Sequence, residues 1–262
     1  MSGSGDGGTA ILFNVLTRDR LSAAAECTTL VVPLGSTEQH GPHLPTMTDS
    51  AVVEALALRA AALASTRIPV LVAPTLPYGC SHHHLPFGGT MSLTTSTYVE
   101  LICELVAGLA EQGFRSVVLL NGHGGNDAAL RVAVDRLTNE IRCDAHVAAT
   151  SYWLLAAARS GSSRWEPGHA GHFETSVMLA LNPDLVDLDL RPSDSAAVTP
   201  LGRPDIAGAK IGRPELWERS DGRTDDAREA SAEAGTRIMD EVSAAVAEFL
   251  VAFHRSVFTP TH

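Results

Sequence analysis

The chain has 262 residues, 45% of them hydrophobic and 19% charged, enough to bury a sizeable core and too apolar for a disordered or fibrous protein. Lys and Arg total 19 against 30 Asp and Glu, for a net charge of −11; with no basic cluster, a nucleic-acid partner, whose binding rests on neutralising phosphates, is not expected. No apolar run approaches the ~20 residues of a membrane span, and the Gly- and Ser-rich start lacks the parts of a secretory signal, so no membrane partner and a cytoplasmic location are expected.

Residues 1–10 read as a disordered lead and 11–262 as one domain. Apolar runs at 28–34 and 68–74 look like strands buried on two faces, followed by a third at 115–120 and a weaker one at 144–153. Between them lie helical patterns at 50–65, at 96–112 opening with Ser96, and at 126–140. Alternation of this kind predicts an α/β fold, three layers deep, with a mainly parallel sheet between helices. Residues 184–223 are rich in Pro, Gly and charge and read as an extended surface segment. A long C-terminal amphipathic helix follows, with Thr224 as its expected N-cap and Ile238, Val242, Val246, Phe249 and Phe253 on one face. The four cysteines show no C-x-x-C spacing and read as reduced thiols.

Histidine carries the functional signal. Of 11 in the chain, most sit in short segments beside Gly or Pro. Glu38 and His40 stand two apart in a loop directly after the first strand, with Asp49 close enough to fold back. Carboxylate, imidazole and carboxylate are the ligand types of a borderline divalent cation, although Asp49 alone also fits an N-cap. The turn Asn-Gly-His-Gly-Gly-Asn at 121–126 displays His123 at the sheet edge. It matches neither G-x-G-x-x-G nor a P-loop, so metal ligation is favoured over a phosphate cradle. Glu174, at the start of a helix and preceded by His169 and His172, is a further ligand candidate, the bland reading being a carboxylate complementing the helix dipole. His84 is the candidate for substrate contact from the loop at 78–90. Trp153 and Trp165 are candidates for an aromatic wall over a flat substrate, or for simple core packing. Glu38, His40, Asp49, His123 and Glu174 exceed what one tetrahedral ion needs, so two divalent ions per chain are expected.

Together, Gly-Ser-Thr-Glu-Gln-His-Gly-Pro-His-Leu-Pro from Gly35 with Asp49, His-x-x-Phe-x-Gly-Thr at 84–90, Asn-Gly-His-Gly-Gly-Asn, and His-Ala-Gly-x-x-Glu-Thr-Ser from His169 resemble the creatininase family of metal-dependent amidohydrolases. The resemblance implies two zinc or manganese ions, with iron also compatible, a homo-oligomer that is often hexameric, and hydrolysis of a cyclic or small linear amide. It implies that Glu38 and His40 each serve one ion, that Asp49 bridges both, and that His123 completes the first. His169 has the side chain to supply the proton needed by the leaving nitrogen. Creatininase itself has a Glu where this chain has Gly125. The glycine-containing branch includes deformylases and a peptidase trimming a ribosomal redox-cofactor precursor, and there Glu174 is expected to supply the missing carboxylate. A Gly-Asp-Pro element common in relatives is replaced by the residues at 220–225. The alternatives are a peptidase acting on the C-terminus of a short precursor peptide and a metal-binding oligomer without turnover.

Overall fold

A computed structural model describes residues 12–162, 165–192 and 217–259; the expected lead at 1–10 and residues 193–216 of the irregular segment lie outside the described residues. Four strands, β1 (Thr29–Leu34), β2 (Val70–Val72), β3 (Ser116–Asn121) and β4 (His146–Ser151), form one parallel sheet in the order β2-β1-β3-β4. Period-two alternation sends their side chains to two separate cores. Val31, Val70, Val72, Val118 and Leu120 pack under helices α2 (Thr48–Ala64), α5 (Tyr152–Ser160), α6 (His172–Leu181) and α7 (Ala232–Phe258). Leu30, Val32, Leu34, Val117 and Leu119 pack under α3 (Thr95–Glu111) and α4 (Asp127–Asp135). A short helix α1 (Arg18–Ala24) precedes β1. The three-layer α/β/α architecture expected from the strand and helix alternation is the one observed.

The differences from the expected elements have local causes. Helix α3 is capped by Thr94, not Ser96: the Thr94 hydroxyl accepts from the Thr97 amide at 3.2 Å. The pattern read at 126–140 divides, because α4 ends at Asp135 and the chain continues as a π-helical turn, Arg136–Glu140. The C-terminal helix begins at Ala232, with Ser231 as its N-cap, and not after Thr224. The Thr224 amide donates to the His169 carbonyl at 3.0 Å, and the Asp225 carboxylate accepts from the His169 amide at 3.2 Å. These bonds hold the chain against the 168–171 loop and delay the helix. For the same reason the end of the irregular segment is not at the surface: Ser220 and Arg223 are buried. Among the described residues no helix is long and apolar enough to cross a membrane.

Sheet topology places the site. With the order β2-β1-β3-β4, chain crossovers leave β1 and β3 in opposite directions, and the crevice at their C-terminal ends is where open parallel sheets bind ligands. Both strands end in a glycine against α2. A Cβ on Gly35 would lie 2.6 Å from the Ser50 Cα, and one on Gly122 would lie 2.6 Å from the Val53 Cβ. The first turn of α2, which carries Asp49, therefore sits closer to the strand ends than any side chain would allow.

A similar contact locks α7 to α6. A Cβ on Gly235 would run into the backbone carbonyl of Ser176. Alanine is the better helix former by ~1 kcal/mol, yet Gly235→Ala is expected to lower stability by ~1–3 kcal/mol through overpacking. Urea denaturation of the variant checks the sign.

Candidate metal centre

The loop after β1 is clamped before it reaches the crevice. The Gly35 amide donates to Leu76 O at 3.0 Å, the Glu38 amide to Thr46 O at 3.0 Å, and the Met91 amide to Thr37 O at 2.9 Å. After β3, the Asn121 side chain accepts from the His123 amide at 3.1 Å and donates to the His123 carbonyl at 2.8 Å. Asn126 bonds Gly35 O and the Cys80 amide, joining the turn to both neighbouring loops. Glu174 stands in the first turn of α6, where its Oε2 accepts from the Ala170 amide at 2.6 Å. The next residue, Thr175, bonds His43 Nε2 at 2.8 Å and ties that turn to the Glu38 loop.

These clamps bring Glu38, His40, Asp49, His123 and Glu174 to one buried place. Asp49 Oδ2 lies 3.0 Å from His123 Nδ1, and Asp49 Oδ1 lies 3.1 Å from His40 Nε2. On the first side Glu38 Oε1 is 3.2 Å from His123 Nδ1; on the second Glu174 Oε1 is 3.6 Å from His40 Nε2. Glu38, His83 and His123 form one set of converging ligand atoms, His40, Asp49 and Glu174 another, and Glu38, His40 and His169 a third. Glu38 Oε1 and Asp49 Oδ2 are buried and form no hydrogen bond of sound geometry. Two carboxylate oxygens turned inward among imidazole nitrogens and left without a well-formed hydrogen bond fit the donor set of a divalent cation.

No side chain fits at Gly125, where a Cβ would strike the Cys80 carbonyl and the ring of His123. The carboxylate facing His40 from the opposite wall is that of Glu174.

The charges follow from the contacts. Burial raises the pKa of Asp49, but His40 and His123 outweigh it and hold the carboxyl far below its usual range. Burial also opposes ionisation of Glu38, and His123 again turns the balance downward. For Glu174 burial prevails, and the pKa rises. His40 and His123 are desolvated, which disfavours their charge; Asp49 and Glu174 around the first, and Glu38 and Asp49 around the second, still raise both well above the ordinary imidazole value. Two other histidines at the site behave oppositely. Burial, followed by the neighbouring His40, holds His169 well below that value, and burial brings His84 down to about 2.

His84 and His169 both face Glu38 Oε1, at 3.3 and 3.7 Å, and their rings stack at 4.3 Å. His172 is exposed and lies beside Trp165 and Phe173 in a groove of about 320 Å³ between α6 and α7. Trp153 and Trp165 belong to the apolar core on that side of the sheet, Trp153 edge-on against Tyr152 and Trp165 bonded to Ser160. The indole that meets the site histidines is Trp217, at 4.8 Å from His83, 4.5 Å from His84 and 5.5 Å from His169. Trp217 was not visible among the sequence candidates, because it stands alone in a polar stretch without periodicity. Ser36 and Ser81 were missed as well; their hydroxyls meet at 2.5 Å and bond Glu38 Oε2 and His123 Nε2, a backing for two ligands that only the fold assembles.

Known proteins share this arrangement of chain and fold. The creatininase family, described as creatinine amidohydrolase, matches residues 15–250. A mycofactocin precursor peptide peptidase of Mycobacterium ulcerans (strain Agy99) is 37% identical over 216 residues, 73% of this chain and 81% of that protein. A creatinine amidohydrolase of Pseudomonas putida is 36% identical over 186 residues, 64% of this chain and 69% of that protein. The crystal structure of a creatinine amidohydrolase superposes with a TM-score of 0.74 at 29% identity, covering 97% of this chain and 100% of that one, and a mutant creatininase of Zn-Zn type superposes with a TM-score of 0.76 at 30% identity over 96% of this chain and 100% of that one. The chain belongs to the creatininase family and is a hydrolytic enzyme of the amidohydrolase type.

Proposed function

We propose that this enzyme hydrolyses a cyclic or small linear amide with two divalent ions, zinc or manganese, held by Glu38, His40, Asp49, His123 and Glu174. The observation that carries the reading is Asp49, whose two oxygens address His123 with Glu38 on one side and His40 with Glu174 on the other. Solved creatininases of Zn-Zn type and in a manganese form support the choice of ions.

Divalent ions in such a site supply Lewis acidity, which polarises an amide carbonyl and acidifies water. The protein's part is proton management and exclusion of solvent. His169 is neutral and turns Nδ1 toward Glu38; that nitrogen takes the proton of the water that adds to the carbonyl carbon. As the C–N bond breaks, the same proton passes to the leaving nitrogen. His84 and Trp217 border this space from the substrate side. Trp153 and Trp165 lie buried in the core, so this reading gives neither of them contact with substrate. Family resemblance further supports a homo-oligomer, most simply a hexamer, and we place it in the cytoplasm; a monomeric mass in light scattering at micromolar concentration contradicts that assembly.

A second reading has its own support: likeness to the M. ulcerans peptidase extends over 81% of that protein, which favours removal of residues from the C-terminus of a short peptide. Metal-loaded protein incubated with lactams, linear amides and short peptides, followed by mass spectrometry, separates the two. Opened lactams or cleaved small amides support the first, C-terminally shortened peptides alone support the second, and inertness toward all three with two ions bound defeats both.

Mutation distinguishes ligand from proton carrier. His169→Ala is expected to keep both ions and lower kcat by ~10²–10⁴, whereas Asp49→Ala releases metal. Loss of metal from His169→Ala moves His169 into the ligand set.

Proton release offers another check. His40 and His123 have raised pKa values and carry protons at neutral pH in the metal-free protein. Metal must displace those protons, so uptake releases protons and affinity increases as pH rises through and above the ordinary imidazole range. Calorimetric titration with zinc in two buffers of different ionisation enthalpy measures the release; buffer-independent heats contradict it.

A further inference from the structure

We infer that Gln39 is a positioning residue that imposes opposite proton placements on the two histidines facing Glu38, making His84 a fixed N–H donor and His169 a bare-nitrogen acceptor. Its chemical use rests on the amide-hydrolysis reading; its geometry does not.

Gln39 lies between the ligand candidates Glu38 and His40, and its side chain is buried. The Gly41 amide, which can only donate, is 2.9 Å from one end of the Gln39 carboxamide. The Gly222 carbonyl, which can only accept, is 2.8 Å from the other end. The first atom is therefore the oxygen and the second the nitrogen, an orientation fixed by neighbours on two different loops.

The second hydrogen of that nitrogen meets His84 Nδ1 at 2.7 Å. Two donors cannot share this contact, so His84 Nδ1 is bare and the neutral ring carries its hydrogen on Nε2, 3.3 Å from Glu38 Oε1. The main chain of the same glutamine does the reverse. Its carbonyl lies 2.8 Å from His169 Nε2, and because a carbonyl only accepts, that nitrogen carries the hydrogen. His169 Nδ1, 3.7 Å from Glu38 Oε1, is bare. The 3.2 Å approach of the Gln39 amide nitrogen to His169 Nε2 is packing, since both amide hydrogens are already committed.

Amide hydrolysis needs one group to hold the carbonyl oxygen and another to take a proton from water. Two imidazoles stacked against each other would otherwise be interchangeable. Gln39 divides the roles, so that a substrate carbonyl oxygen is received by His84 Nε2–H while His169 Nδ1 handles the proton.

Long-range ¹H–¹⁵N spectra of histidine-labelled protein, assigned with His84→Gln and His169→Gln, read both rings directly. In the wild type, His84 is expected as the Nε2–H form with bare Nδ1. Gln39→Glu keeps the acceptor for Gly41 but places an oxygen where the donor stood, so His84 Nδ1 gains a proton. His169 keeps its pattern, because its partner is a backbone carbonyl. Two ions per chain remain bound and kcat falls ~10–100-fold, as for other groups that orient active-site residues. A wild-type His84 protonated at Nδ1, or a His84 pattern that Gln39→Glu leaves unchanged, overturns the inference; if the variant does not fold, the wild-type spectrum alone decides. A protein that turns over no amide yet shows these spectra loses the hydrolytic reading and keeps the Gln39 bracket.

Discussion

Three buried carboxylates at the C-terminal edge of one sheet are the condition to which the rest of this molecule answers. Glu38, Asp49 and Glu174 are each almost wholly removed from solvent, and an isolated ionised carboxylate in such surroundings is too costly to persist. Compensation must come from within. His40 and His123 supply it in the metal-free chain by holding protons against their own desolvation, while Glu174, with fewer positive neighbours, answers by a raised pKa. Protonated imidazoles at 3.0–3.6 Å from carboxylates, two of whose oxygens still form no hydrogen bond of sound geometry, are a partial solution. Divalent cations would neutralise the same charge without orphaning the oxygens, which couples metal binding to stability as well as to chemistry.

Such a cluster can be assembled only where backbone from distant parts of the chain approaches closely. The β1/β3 switch point supplies two loops, the Gly35 and Gly122 contacts admit the first turn of α2, and the His43–Thr175 bond draws in α6. None of these elements could be lengthened by one side chain at its contact without moving a carboxylate. Gly125 expresses the same economy: the volume a side chain would occupy there is filled by the ring of His123.

Much of this was legible in the sequence because the ligands lie in short motifs with local meaning. Glu38 and His40 follow an apolar strand, and His123 sits among glycines that only a turn explains. The strand and helix alternation follows from apolar periodicity, which reports burial directly. What failed to show has a common cause. Thr224 and Asp225 have the composition of a helix start, yet a hydrogen bond to His169, some 55 residues earlier in the chain, outbids the local signal. Trp217, Ser36 and Ser81 act only through neighbours that the fold brings to them, and no periodicity or spacing encodes such a meeting. Opposite proton placements on His84 and His169 are further still from sequence, since they depend on which way one carboxamide faces.

The arrangement also separates what the site does from what it acts on. Asp49 and Glu174 come from first helical turns, and Glu38, His40, His123 and His169 from loops that backbone hydrogen bonds clamp in place. Trp217 and His83, which enclose the imidazoles, come from outside the sheet, His83 from a 3-10 helix at His82–Phe87. Proteins with similar chains are named for quite different substrates, creatinine in one and a precursor peptide in the other. In this chain the carboxylates and imidazoles are buried at the sheet edge while Trp217 packs on the imidazoles from outside the sheet, and the outer segments of a fold can change without disturbing the frame beneath them. The wall around Trp217 and the charge balance at the sheet edge are thus separable parts of this molecule.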